Sequence, residues 1–587
     1  MAIDVGNKID RDRLWKGIQR SRDTLALFDT DRTEMLRDFA GPLYSPYSPR
    51  KARYVNKLNT TANIYQMALC FNNPQCKITS FDQKLWAFAR KYENNVNKVT
   101  ANIDLKSTLQ EAVLDAFFLL GCVKVRMADA GLQEIEPNLW LDVGKPWVDR
   151  VSFSDLILDM PGRSLRSMRF YGDRYRAPYE GVKARDDFDA KVLKRLSPTS
   201  KLNYDVHADR ADEIANGNFV DDDDLEPMCW LMDVYLPQDR QLVTLSGDNV
   251  DLPPLKVQKW TGSPQGPYKF LTLGYVPDNV MPSTPAQQLV LLDRLMNRLY
   301  HKLARQAERQ KNTVAYEPGR EDDALRGKDA QDGEFFKAVN PKSMTPISFP
   351  GVDGNTHAFF LAAAEIYNTQ SGNERALGGL AEEANTATQE QMLSRGASGR
   401  IAFMKGAVNQ FASDIQREVG SLMWDDEALV VDSSMEAENT GYHVDTSWRP
   451  GDRKGLKDHY DFAVEPNSMA FQPPEAKVQK LYGFIDKYMQ LLPAIQAGLI
   501  DGPELAKITA EYENMPEILR IVKALQPQEG AGGAGGDPHE ASKAPNTSRE
   551  VVRKTQSRGP QGQGVQAVMG QMMQGQGQQG AMVGAPR

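Results

Sequence analysis

The sequence predicts an α+β fold of several domains, followed by a disordered Gly/Gln-rich C-terminal tail. Over several long stretches, apolar residues recur every three or four positions, which is the period of an amphipathic helix. Other stretches, such as Cys122–Met127, alternate apolar and polar residues and predict half-buried strands. Residues 526–587 contain 13 Gly and 11 Gln and lack Phe, Trp and Tyr. Because so little apolar surface cannot offset the entropy of ordering, this segment is expected to be flexible.

Residues 1–285 are predicted to form a mixed α/β domain. Residues 1–40 carry helical patterning, and three prolines in the following ten residues end it. One further helix is expected from Leu85, and another from Leu105 that Gly121 should stop. Strands are expected in the segments 122–127, 147–159 and 228–237.

A long helix over residues 286–311 shows two faces. At about 100° per residue, five cations on this helix occupy a sector of roughly 80°, nearly opposite the apolar residues. The apolar face contains Leu289, Leu292, Met296, Leu299 and Leu303. The cations, here called the basic stripe, are Arg294, Arg298, Lys302, Arg305 and Arg309.

The second half of the chain is predicted to alternate between helices and short strands. Short strands and loops are expected over residues 312–355, followed by a helix at 356–370 and a Gly-rich segment at 371–385. The longest helical pattern begins near residue 386 and ends at Trp424. Strand-like pieces up to residue 472 and helices over 473–525 complete the folded part.

Composition and motifs give no indication of catalysis. The sequence lacks the Gly-rich phosphate-binding motif of packaging motors, the zinc-protease motif and the nucleophile motif of serine hydrolases. The six histidines are scattered singly, and the four cysteines, which lack metal-type spacing, are expected to be buried free thiols. We therefore expect no enzyme activity, cofactor or metal.

Charge and hydropathy indicate in which compartment the chain is made and how it could interact with membranes and DNA. The longest apolar run, near residues 116–123, is far shorter than the roughly 18 residues that span a bilayer, and the first 25 residues are rich in charge rather than signal-like. A protein made in the cytoplasm, with no membrane partner, is expected. The net charge of −8 argues against a static grip on DNA, yet suits a passage through which DNA slides.

Four stretches, in their order along the chain, resemble the portal proteins of tailed phages. Residues 59–79 are similar to an early family helix that ends in an Asn-Pro step, and residues 108–127 to a helix that passes through Gly into an inner strand. Residues 151–172 resemble a strand and turn of the family, and residues 385–401 its entry into a long helix. Gln389 stands where the family usually has Glu, so no role for that carboxylate is implied.

This resemblance implies a portal fold and a ring, usually of twelve subunits, at a capsid vertex of the virion. The ring would be a channel for packaging and ejecting double-stranded DNA. It would bind terminase, head–tail adaptor or tail proteins, and the major capsid and scaffolding proteins. The implied regions are a wing (1–285), stem helices (286–311 and 356–370), a clip (312–355), a tunnel loop (371–385), a long helix with wing strands (386–472), crown helices (473–525) and the tail (526–587).

Two sets of residues are candidates for the DNA channel. In the basic stripe, Arg294, Arg298, Lys302 and Arg305 either face the channel and contact phosphate, or pair with acids of the neighbouring subunit or capsid. In the expected tunnel loop, Arg375, Glu382 and Glu383 are candidates for residues close to DNA. Gly378 and Gly379 are candidate hinges of that loop.

Two other functions stay open at this point. A head–tail adaptor or internal virion protein would be shorter or mostly helical, without an insert between two long helices. A metal-dependent nuclease would need acids clustered at strand ends, and Asp155 with Asp159 is the pair that suggests one.

Overall fold

The computed structural model describes residues 8–42, 54–129, 132–136, 139–142, 144–198, 227–331, 335, 337–339, 342, 344–372, 387–436, 443–465, 468–469, 474–496, 500–513, 515 and 518. The described residues are 52% helical and 19% strand, which confirms the α+β class. The expected tail (526–587) lies outside the described residues.

Helices and strands alternate along the chain. The helices are α1 (Lys8–Ala40), α2 (Lys57–Leu69), α3 (Trp86–Asn102), α4 (Leu105–Phe118), α5 (Tyr179–Lys183), α6 (Ala190–Leu193), α7 (Pro285–Arg309), α8 (Glu321–Asp329), α9 (Gly354–Gln370), α10 (Ala387–Asp425), α11 (Pro474–Gln496) and α12 (Gly502–Glu513). The strands are β1 (Cys76–Ser80), β2 (Gly121–Ala128), β3 (Leu132–Glu136), β4 (Leu139–Asp142), β5 (Lys145–Arg150), β6 (Leu156–Leu158), β7 (Tyr171–Pro178), β8 (Met228–Leu236), β9 (Gln241–Ser246), β10 (Lys256–Lys259), β11 (Tyr268–Leu271), β12 (Lys311–Tyr316), β13 (Met344–Phe349), β14 (Ser434–Glu436), β15 (His443–Asp445) and β16 (Tyr460–Val464).

Two antiparallel sheets organise the first half of the chain. One has the strand order β10-β9-β8-β7-β6, and the other has the order β11-β2-β5. A buried lysine joins them, because the Nζ of Lys124 on β2 donates to Asp173 on β7 at 2.8 Å and to Asp233 on β8 at 2.7 Å. Both carboxylates and the ammonium are thereby satisfied inside the fold, which a buried charge requires.

Strands far apart in sequence close the second half onto the first. β1 pairs with β16 in antiparallel register, from Cys76 opposite Val464 to Ser80 opposite Tyr460. Beside this pair, the aromatic rings of α3 pack against those of the later segment, and Tyr92 stacks on Trp448 with ring centroids 4.9 Å apart. Residues near 80 and near 460 therefore share one core with α2, α4 and α10.

The long helix α10 is fixed to the β11 sheet by a second buried ion pair. Lys269 on β11 donates to Glu418 of α10 at 2.9 Å, and their side chains are 3% and 0% exposed. The Glu418 carboxylate also accepts from the indole N–H of Trp260 at 3.2 Å. The long helix expected from near residue 386 to Trp424 is confirmed, and its apolar residues, spaced three or four apart, are buried: Ile401, Met404, Val408, Phe411, Ile415 and Val419.

Several expectations from the sequence need correction. α4 ends at Phe118, before Gly121, and Gly121 instead begins β2. Within residues 312–355, where only strands and loops were expected, α8 forms a helix, with acidic residues in its first turn and basic ones in its last, as the helix dipole favours. The strand β1 was not expected. The buried, unpaired state of Cys70, Cys76, Cys122 and Cys229 is confirmed.

Replacing Gly121 with Ala should destabilise the fold. A Cβ atom at this position would lie 2.3 Å from the carbonyl oxygen of Ala112, so α4 and β2 would have to separate. We expect a loss of about 1–3 kcal/mol in the free energy of unfolding, measured by chemical denaturation. Gly406→Ala is the control, because a Cβ there meets nothing within 4 Å and should stabilise α10 by about 0.5–1 kcal/mol. Equal stability of the two variants would contradict this packing.

Candidate functional site

The candidate site is the antiparallel pair of helices α7 and α9. α7 begins with a capping box, in which the hydroxyl of Thr284 and the side chain of Gln287 each bind the other residue's backbone N–H, and Pro285 occupies the first turn. Thr284 also donates to the carbonyl of Phe118 at the end of α4 at 3.1 Å. The start of α7 is therefore anchored in the main core.

Contacts between the two helices define their register. The rings of Tyr300 and Phe360 lie 6.4 Å apart, and the backbone N–H of Asp353 donates to the side chain of Gln306 at 3.2 Å. Residue numbers rise along one helix as they fall along the other, so the pair is antiparallel. The shared apolar seam is formed by the buried residues Met296, Leu303, Ala363 and Tyr367. At the far end of the pair, β12 and β13 form a two-stranded antiparallel sheet, with α8 in the segment that connects them.

The first residue of the basic stripe has partners within its own chain. Arg294 donates from Nε to Asp38 at 2.6 Å and from Nη2 to Glu34 at 3.2 Å, and both carboxylates belong to α1. From the sequence, Arg294 was expected to face the channel or to pair with acids of the neighbouring subunit or capsid. A pairing with α1 of its own chain was not expected. Its contacts hold the start of α7 to the end of α1.

The later residues of the basic stripe are exposed. Arg298, Lys302, Arg305 and Arg309 all point to solvent. Within the part of the chain that is described, these four side chains form no ion pair. They follow Arg294 along α7, on the side turned away from the seam with α9, and their charged groups face solvent.

A buried carboxyl group lies where α7 meets the segment before α2. Asp293 is 0% exposed and accepts a hydrogen bond from the amide of Asn297 at 2.9 Å, while the carbonyl of the same amide accepts from the Val55 backbone at 2.8 Å. The Tyr54 hydroxyl contacts the Asp293 carboxyl at 3.5 Å and donates to the Asp38 carbonyl at 2.6 Å. Burial, followed by the nearby charge of Asp38, raises the pKa of Asp293 to about 6.

Replacing Asp293 with Asn should remove a pH dependence of stability. Because the pKa of this carboxyl group is higher in the folded state than in the unfolded state, its contribution to stability is present at low pH and is lost as pH rises through about 6. At pH 7.5 we expect Asp293→Asn to raise the free energy of unfolding by about 1–2 kcal/mol, with little difference at pH 4.5. Thermal unfolding at both pH values measures this. Asp38→Asn, which keeps the buried carboxyl group but removes the second cause of its raised pKa, should retain a pH dependence that is shifted to lower pH. A constant difference between wild type and Asp293→Asn across pH would contradict the assignment.

The expected tunnel-loop residues cannot be placed beside the helix pair. Arg375, Gly378, Gly379, Glu382 and Glu383 all lie outside the described residues.

A cavity of about 760 Å³ between the two larger sheets is a separate candidate. Its walls are rich in charge, but most of the cations there have carboxylate partners, and aromatic side chains such as Trp230 pack against them. The ion pairs are Lys124 with Asp173 and Asp233, Arg126 with Asp149, Arg150 with Asp115, Arg174 with Asp248, and Arg185 and Lys256 with Asp187. This compensation stabilises the wall and leaves little excess charge for a ligand.

The acids that suggested a nuclease do not form a metal site together. Asp159 is 1% exposed and receives two hydrogen bonds at 2.8 Å from the guanidinium of Arg169. Asp155 lines the cavity, near Arg174. Among the described side chains, no group of three His, Cys, Asp or Glu lies close enough to hold a metal ion.

None of the described helices is long and apolar enough to cross a membrane. A scan of the sequence against models of known protein families finds no match, and a search of curated proteins finds no related sequence.

Proposed function

We propose that this chain is a portal protein of a tailed phage, one subunit of a ring at a capsid vertex through which double-stranded DNA is packaged and ejected. The proposal rests on the antiparallel helix pair α7 and α9. At its far end, this pair carries an insert made of the paired strands β12 and β13 and the helix α8. This arrangement is the helix–insert–helix order that the sequence predicts over residues 286–370. A head–tail adaptor, the alternative virion component, is not expected to contain such an insert.

The exposed faces of the helix pair support assembly into a ring. A helix with apolar residues all round needs partners on more than one side. On α9, Phe359, Leu361 and Ile366 are 54%, 53% and 51% exposed, although the opposite side of the helix packs on α7. Identical copies arranged around an axis would cover such faces, each copy using one side for each neighbour.

The basic stripe supports a channel for DNA. Phosphate contacts from Lys and Arg are independent of base sequence and weaken with salt, which suits a polymer that must move along its axis. Lys302 and Arg305 are exposed in the second half of α7. The net charge of −8 for each chain would keep most of the ring repulsive to DNA, so contact would be confined to a few cations.

The remaining regions take the roles that the portal assignment gives them. The insert, 312–355, would be the clip that binds terminase and later the adaptor or tail proteins. Leu325, Phe335 and Val339 of this segment expose apolar side chains, as a docking surface requires. Residues 473–525 would form the crown, and the body built from 1–285 and 386–472 would form the wing that meets the major capsid and scaffolding proteins.

Electron microscopy of the purified full-length chain tests the ring. We expect annular particles with a central hole, and a mass close to twelve chains by mass photometry. Assembly should persist on dilution and should tolerate moderate salt, because its main contacts are apolar. A compact monomer at all concentrations would overturn the proposal.

Reversing two cations of the basic stripe should weaken the binding of DNA. For rings of Lys302→Glu/Arg305→Glu, we expect the slope of log K against log salt for a short duplex to fall by about one for each phosphate that the ring no longer binds. Binding is measured from roughly 50 to 200 mM salt, the range over which such contacts are screened. Lys191→Glu/Lys194→Glu, at α6, makes the same change in net charge on exposed residues elsewhere. Identical slopes for the two double variants would rule out the channel role of the stripe.

A further inference from the structure

The outer faces of α7 and α9 have complementary chemistry. The outer face of α9 exposes apolar side chains, among them Leu361 and Ile366, beside polar ones such as Thr369. It carries one carboxylate, Glu365, which is exposed and forms no side-chain hydrogen bond or ion pair with the described residues. The outer face of α7 carries the exposed cations of the basic stripe and also the apolar side chain of Leu291, which is 68% exposed. Each face therefore carries both an apolar group and a charge that the other face could match.

The register of the helix pair places these groups at nearly the same level. Tyr300 lies opposite Phe360, so Glu365 and Ile366 lie level with Leu295 and Arg294 of α7. Leu291 and Arg298 are then within about 4.5–6 Å of that level along the axis, at roughly 1.5 Å per residue. Arg298 has a side chain long enough to span this offset.

A ring places contacts between copies at a common level. Rotation about one axis leaves the height of every atom unchanged, so atoms of neighbouring copies that touch lie at nearly the same height. Levels along the helices correspond to heights when the helices run nearly parallel to that axis. Of the cations near the level of Glu365, Arg294 already binds Asp38 and Glu34 in its own chain. Arg298 is the neighbouring cation that has no ion-pair partner among the described residues.

We infer that Glu365 and Ile366 on α9 of one copy contact Arg298 and Leu291 on α7 of the next copy. This inference rests on the proposed ring and specifies its helix-to-helix interface. It divides the basic stripe by partner. Arg294 binds α1 of its own chain, and Arg298 binds the neighbouring copy.

Cross-linking between separately mutated chains tests the contact. Chains with Leu291→Cys and chains with Ile366→Cys are co-expressed, purified as rings and treated with a short bismaleimide. We expect a covalent dimer from the mixture and essentially none from rings of either single variant. The four native cysteines are buried and should not compete. Because the two new thiols are on different chains, a dimer cannot come from contact within one chain.

The two hypotheses fail in different ways in this experiment. Annular particles that give no dimer in the mixture would overturn the interface and leave the ring intact. A dimer equally abundant in a single-variant sample would also overturn it. The absence of annular particles in every sample, including wild type, would instead overturn the proposed function.

Charge reversal provides a second, independent readout. Arg298→Glu and Glu365→Arg should each raise the chain concentration needed for half assembly by roughly threefold to tenfold, because each places like charges across the interface. The double variant Arg298→Glu/Glu365→Arg should restore assembly, since the pair is re-formed with opposite polarity. Lys194→Glu, with the same charge change at the end of α6, should assemble as wild type does. Thermal unfolding verifies that each chain is folded. Single variants without effect, or a double variant no better than the singles, would reject the pairing.

Discussion

The apolar seam between α7 and α9 is the contact on which the projecting part of this protein depends. Met296 and Tyr367, near the body, are buried both in the seam and in the main core, whereas Leu303 contributes to the seam beyond it. Past that point, within the described part of the chain, the two helices pack against each other. Burial of one side of each helix therefore fixes which side stays exposed, and the exposed sides carry the cations of α7 and the apolar residues of α9.

Buried charges hold the body to which this seam is attached. Lys124 joins the two larger sheets through Asp173 and Asp233, and Lys269 binds the long helix α10 through Glu418. Removing one partner from such a pair would leave an uncompensated charge in the interior, so each pair restricts how the layers can be arranged. At the surface of α1, Arg294 also has two carboxylate partners, but these side chains are partly exposed, so the pairs orient the arginine and add less to stability.

The helices that form the candidate site could be predicted because their signal is local. A three- or four-residue apolar period marks α7 and α10, and their buried faces contain the expected residues. β7 gave no comparable signal, because Asp173 occupies a buried position that is tolerated only through Lys124 on another strand. The pairing of Arg294 with Asp38 spans 256 residues, and no pattern in the neighbourhood of either residue indicates it.

The sequence by itself determined the α+β class, the positions of the long helices, the position of the insert between two of them and the alignment of five cations on one face. Periodicity reports which side chains share a face, because that depends only on the helical repeat of the local backbone. The tertiary structure alone decided which of these cations is neutralised, which carboxyl group is buried at the base of α7, and which level of α9 lies beside which level of α7. Those outcomes depend on contacts between residues that are distant in the chain, and the folded packing alone brings them together.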